Sequence, residues 1–185
     1  MEDWVHRALA RWPNVPALYG WLQLDRRGRW RVQHELISRP QIIDTIAANY
    51  AADEQGRWYF QNGPQRGYVQ LETAPLVLRV AGDGATLVTH NDLVIERPTA
   101  AYLDEEGSLL LATEHGAAAL ESQDLDWLLQ RLVGASEAGL EAALALPSGS
   151  ATALRLRWQD RELAIGRLDI ADAPAQLGFV RDPQP

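Results

Sequence analysis

The chain has 185 residues, 46% of them apolar, a net charge of −8, and neither cysteine nor lysine: all seventeen basic residues are arginine. The missing residues exclude thiol nucleophiles, disulfides and thiolate zinc sites, together with Schiff-base and phosphate-loop lysines. The acidic surplus disfavours nucleic acid and anionic lipid as partners, and the longest apolar run is too short for a membrane helix. The expectation is a soluble, cytoplasmic, single-domain protein over residues 1–185, with most of its seven tryptophans in the core.

In chain order, Trp4, Val5, Ala8, Leu9 and Trp12 recur at helical spacing, so residues 3–12 are predicted helical. The acidic start "MEDWVHRALARWP" lacks the apolar stretch of a signal peptide. Strands are predicted at 18–24 and 29–33, the latter with Trp30 and Val32 on one face and Arg29, Arg31 and Gln33 on the other. "SRPQIIDTIAANY" reads as a helix capped by Ser38, with Pro40 in its first turn and a stripe of Ile42, Ile43, Ile46, Ala47 and Tyr50. Strands follow at 57–61, 67–72, 76–81, 85–90, 93–103, 108–113 and 117–120, with Pro98 bulging, breaking or edging the fifth. "SQDLDWLLQRLVG" is predicted to be the strongest helix, presenting Leu125, Leu128, Leu129 and Leu132. A shorter helix, 136–145, ends before Pro147. A minor break at 147–150 precedes a terminal hairpin in which Leu154, Leu156 and Trp158 share a face.

Three strings, "DRRG", "DEQG" and "DEEG", place Asp25, Asp53 and Asp104 three residues before Gly28, Gly56 and Gly107. A phosphate loop would need a helix after it, and a calcium loop more oxygen ligands, whereas each of these strings runs into a strand. They fit a three-residue hairpin loop, with aspartate accepting backbone N–H bonds and glycine supplying positive φ.

Catalytic candidates are few. His90 and Asp92 share a strand face, and His115 completes a two-histidine, one-carboxylate set of the kind that holds non-haem iron. In a meander the two histidine strands lie about 9.6 Å apart, and Asn91-Asp92 and His115-Gly116 are equally turn dipeptides, so turn chemistry is the preferred explanation. His6 and His34 have no partner at ligand spacing, and none of the six serines occupies a nucleophile elbow. The strip Arg26, Arg27, Arg29 and Arg31 lies beside Trp21 and Trp30, but alternation turns Trp30 away from the arginines and so argues against base stacking. The most unusual polar string is "WYFQNGPQRGYVQLE". It turns Trp58 and Phe60 inward, offers Tyr59, Gln61, Asn62 and Arg66 as a binding surface, and serves equally well as an ordinary Asn-Gly hairpin.

"NVPALYGWLQLDRRGRWRV", "NYAADEQGRWYFQNGPQR" and "VQLETAPLVLR" resemble a family of uncharacterised bacterial proteins known only as a domain of unknown function. The likeness is densest over residues 12–80. It implies a soluble bacterial protein and carries no activity, cofactor or site residue.

The fold class expected is α+β: mainly antiparallel hairpins and meander, forming a partial barrel or sandwich, packed by three or four helices. The function expected is a non-catalytic module binding a small molecule or another protein through Tyr59, Gln61, Asn62 and Arg66. The alternative is a metal-dependent enzyme built on His90, Asp92 and His115. No cofactor is named by the sequence, and its oligomeric state is not legible.

Overall fold

The computed structural model describes residues 15–185, so the helix expected at 3–12, and His6 with it, lie outside the described residues. Strands dominate, four helices are present among the described residues, and the strands form two mixed sheets of mostly antiparallel pairs, one of them curled as a half-barrel. Two compact units divide the chain. Phe179–Pro185 joins the residues up to Pro75 in the first, and Leu76–Gly178 forms the second. No helix among the described residues is long and apolar enough to cross a membrane.

The first unit contains β1 (Ala17–Leu24), β2 (Trp30–Val32), β3 (Glu35–Leu36), helix α1 (Pro40–Ala48), β4 (Tyr50–Ala52), β5 (Trp58–Asn62) and β6 (Gln65–Leu71), with the sheet order β3-β2-β1-β6-β5-β4. Period-two alternation sends Leu22, Leu24, Trp30, Val32, Trp58, Phe60, Val69 and Leu71 into the core. There Tyr50 meets Trp30 edge-on at 5.0 Å and Trp58 at 4.7 Å, and donates its hydroxyl to the Pro75 carbonyl. Tyr50 therefore belongs to a strand, not to the helix stripe expected of it. The cap of α1 is Arg39 rather than Ser38, without a side-chain hydrogen bond, and Ile46 is its buried residue.

The second unit contains β7 (Leu76–Val80), β8 (Leu87–Thr89), β9 (Ala100–Leu103), β10 (Leu109–Thr113), β11 (Gly116–Leu120), α2 (Leu125–Leu129), β12 (Leu132–Val133), α3 (Glu137–Leu144), β13 (Ala151–Trp158), β14 (Arg161–Arg167) and α4 (Ala173–Leu177). The sheet order is β12-β13-β14-β9-β10-β11-β7-β8. Leu109, Leu110 and Leu111 are all buried, so β10 is covered on both faces. The strand expected at 93–103 is broken by Pro98 and starts only at Ala100. The strongest expected helix shrinks to Leu125–Leu129: its buried residues are Trp127 and Leu128, Leu125 and Leu129 are exposed, and Leu132 lies on β12. Trp127 outweighs the leucine stripe because its indole N–H donates to the Ala85 carbonyl while its ring packs edge-on against Trp158. Segment 147–150 runs along β14, with the Gly149 N–H donating to the Arg167 carbonyl at 2.7 Å.

Antiparallel neighbours do not hold throughout. β1 pairs with β6, β7 with β11 and β9 with β14 in parallel. Each of these pairs is separated by intervening strands, so the return is a long crossover rather than a hairpin.

Candidate functional site

The D-x-x-G strings form one structure, repeated. Gly28, Gly56 and Gly107 have φ of +73°, +75° and +81°, and each N–H donates back to the carbonyl of its aspartate. The flanking strands then pair antiparallel, at Leu24 with Trp30, Ala52 with Trp58 and Leu103 with Leu109. Each carboxylate accepts the N–H of the residues two and four positions on. These aspartates close hairpins.

Their surroundings differ. Burial pushes the Asp25 carboxyl up, but the N–H groups of Arg29 and Arg27 and the Arg29 guanidinium outweigh it and hold it below the ordinary range. Asp53 is likewise lowered: burial opposes, and the Arg57 guanidinium with the Arg57 and Gln55 N–H groups prevails. Asp104 has Ser108 where the others have arginine. Burial raises it, Glu105 and Glu106 add to the rise, and two backbone N–H bonds do not offset them.

The face of the first sheet opposite its core carries the candidate site. The hairpin between β5 and β6 turns tightly at Gly63-Pro64, so Asn62 pairs with Gln65, Gln61 with Arg66 and Tyr59 with Tyr68. This register makes Tyr59 and Arg66 diagonal neighbours, and the Arg66 guanidinium lies 4.4 Å over the Tyr59 ring. Tyr68 stacks on Tyr19 at 4.7 Å and lies under the Arg57 guanidinium at 4.7 Å. Arg57 is tied to Asp53 at 2.8 Å, and Asp53 also accepts the Tyr68 hydroxyl. A cavity of about 410 Å³ opens here, lined by Asp53, Glu54, Gln55, Arg57, Tyr59 and Arg66 beside Ala52.

Of the four residues read from the sequence, Tyr59 and Arg66 line this cavity. Gln61 instead donates its amide to the Gly63 and Gln65 carbonyls, and Asn62 closes the turn. Asp53, Arg57, Tyr68 and Tyr19 surround this pair and are not among the residues the sequence offers as a site. The Gly-Pro turn fixes the register that brings Tyr68 beside Tyr59, and that signal was in the string.

The proposed metal set does not gather. The His90 ring accepts the Val77 N–H, and burial, with Arg79 nearby, lowers its pKa to about 3. Asp92 pairs with Arg79, and the His115 ring meets the Val94 carbonyl. Among the described residues no group of three histidine or carboxylate side chains is placed to hold a metal ion.

The DUF2944 family model, described as a protein of unknown function (DUF2946), matches residues 1–184. Among solved structures, a DUF1285 family protein from Silicibacter pomeroyi DSS-3 is similar, with 16% identity and a TM-score of 0.54 over 86% of this chain and 92% of that one. A second, from Shewanella baltica OS155, is 15% identical with a TM-score of 0.43 over 59% and 90% of the two chains. The first supports a shared fold alone. No curated protein gives a match.

Proposed function

The chain belongs to the DUF2944 family of proteins of unknown function, and we propose that it acts as a non-catalytic, cytoplasmic binding module for a small planar anion. The observation that carries this reading is Arg66 laid over Tyr59 at the edge of the 410 Å³ cavity. A guanidinium stacked on a ring keeps its in-plane N–H donors for a carboxylate or phosphate, while the neighbouring aromatic surface accepts a planar group. Arg57 is already paired with Asp53, whereas Arg66 makes no ion pair among the described residues and engages the Tyr68 hydroxyl. In this reading Tyr59 and Arg66 touch the ligand, and Gln61 and Asn62 hold the turn that places them.

Isothermal titration with benzoate, adenosine monophosphate and, as the control without an aromatic ring, acetate tests it. Either aromatic anion is expected to bind at least tenfold tighter than acetate, and the preference should vanish in Arg66→Ala and in Tyr59→Leu. Equal affinity in wild type and both variants refutes the assignment.

A further inference from the structure

We infer a second anion-binding site on the same sheet face, separate from Arg66, in a cavity of about 700 Å³ whose donors come from Arg31, His34 and Arg181. Pairing places Gln23 of β1 beside Arg31 of β2 and beside Gln70 of β6, so these three side chains rise from neighbouring positions of one face. Arg181 comes from the C-terminal segment, whose carbonyl accepts the Leu71 N–H at 2.8 Å.

Hydrogen-bond accounting gives the sign of the ligand. Two of the three carboxylates around the cavity, Asp25 and Glu72, are ion-paired with arginines, and the third, Asp182, accepts a neutral amide. Asp25 accepts from the Arg27 and Arg29 N–H groups and from the Arg29 and Arg31 side chains. Glu72 accepts the N–H and Nε of Arg26, and Asp182 accepts the Gln70 amide. The guanidiniums are not used up. Arg31 gives Nε to Asp25 and Nη1 to the His34 carbonyl, and Arg181 gives Nη2 to the Glu72 carbonyl, which leaves donors on both forks. Open guanidinium donors on Arg31 and Arg181, beside carboxylates of which two are ion-paired, fit a small oxyanion, a carboxylate or a phosphate, held by paired N–H groups.

The turn at the rim supports the same conclusion. Gln33 and His34 have φ of +48° and +72°, both in the left-handed region that hairpin turns usually give to asparagine and glycine. Keeping bulky side chains there costs stability, and a local cost of this kind is tolerated where the side chain is used. His34 lines the cavity, and its ring makes no hydrogen bond among the described residues.

Titrations of the full chain with inorganic phosphate and with succinate, against sodium chloride at matched ionic strength, decide the matter. The expected result is a saturable rise in unfolding midpoint with at least one of them, accompanied by movement of the Gln23 and Gln70 side-chain amide resonances. A response to phosphate alone identifies a phosphate ligand, one to succinate alone a carboxylate, and one to both a general oxyanion site. Arg181→Ala should weaken binding at least tenfold. His34→Gly should raise the midpoint of the free protein yet bind several-fold more weakly, which keeps the test decisive if Arg181→Ala folds poorly. Arg66→Ala should leave the movement of the Gln23 and Gln70 amide resonances intact, so failure here and failure at Tyr59 are told apart. No saturable response, or wild-type affinity in both His34→Gly and Arg181→Ala, overturns the inference.

Discussion

Replacing Asp25 by alanine and by asparagine separates a hairpin clamp from an ion site. The carboxylate is 7% exposed and takes the N–H groups of Arg27 and Arg29 at 3.0 Å each, with the Arg29 and Arg31 side chains at 2.9 and 3.3 Å. Hydrogen bonds to a charged group contribute about 1.5–3 kcal/mol each. Arg27 and Arg29 are exposed, so water re-solvates their N–H groups in part, and the lower figure applies. Two backbone bonds lost in Asp25→Ala then cost about 3 kcal/mol. Asparagine keeps an acceptor oxygen for both N–H groups but sets an NH2 donor where Oδ2 accepts the part-exposed Arg29 and Arg31 side chains, which water re-solvates, for a cost of about 1 kcal/mol. Urea unfolding read at the Trp30 indole resonance should show the alanine variant shifted by about 1–2 M and the asparagine variant by about a third of that, at unchanged slope. The pH dependence has a definite sign. Because the folded pKa is lowered, the stabilisation is present at neutral pH and is lost as pH falls through the ordinary carboxylate range toward the folded value. Asp25→Ala should remove that acid sensitivity. An alanine variant within about 0.5 kcal/mol of wild type, or calcium stabilising wild type but not the variant, refutes the clamp.

Asp104→Asn should behave in the opposite way. Its folded pKa is raised, so native protein takes up a proton more readily, ionisation at neutral pH costs stability, and stability rises as pH falls from the folded toward the unfolded value. Asparagine should therefore match or exceed wild type at pH 7 in thermal unfolding, and a loss above about 1 kcal/mol would contradict this. Gly166→Ala should cost about 1–3 kcal/mol, because the added methyl lies 2.9 Å from the Tyr102 ring, the residue paired with Gly166 across β9 and β14. Tyr102→Ala in the same chain should relieve most of that cost, and an undiminished penalty in the double variant would place the strain elsewhere.

Local chemistry was readable where it is self-contained. Each Asp-Gly quartet carries its own acceptor and its own positive-φ glycine, so neighbours along the chain suffice to close the turn. Alternation placed Trp30, Trp58, Phe60, Leu154, Leu156 and Trp158 inward, because a strand with one wet face sorts its side chains by parity. What failed was what depends on distant partners. The leucine spacing at 125–132 suits a helix, but Arg157 donates its N–H to the Arg131 carbonyl and Leu132 pairs with Leu156, so the chain leaves the helix to edge a sheet. The parallel pairs were invisible for the same reason: no short turn announces them. At the candidate site, Tyr59 and Arg66 were legible as outward residues of a hairpin, while Tyr19 reached them only through the parallel pairing of β1 with β6.

The absence of lysine gives these separate features a common physical basis. An ammonium group can neutralise a carboxylate, but it cannot lie flat on a ring while keeping a fork of donors aimed elsewhere. This chain uses that geometry at Arg57 over Tyr68, Arg66 over Tyr59 and Arg131 over Trp127. At Arg57 the fork is spent inward on Asp53, which stiffens the hairpin. At Arg66 the same stack makes no ion pair among the described residues: its guanidinium engages the Tyr68 hydroxyl and lines the cavity that Asp53 and Glu54 also line. The two arginines share a sheet face and differ in whether an Asp-Gly turn supplies the counter-charge. Where the turn does, arginine is structural. Where it does not, the guanidinium keeps N–H donors beyond its bond to the Tyr68 hydroxyl, and those are open to a ligand or water.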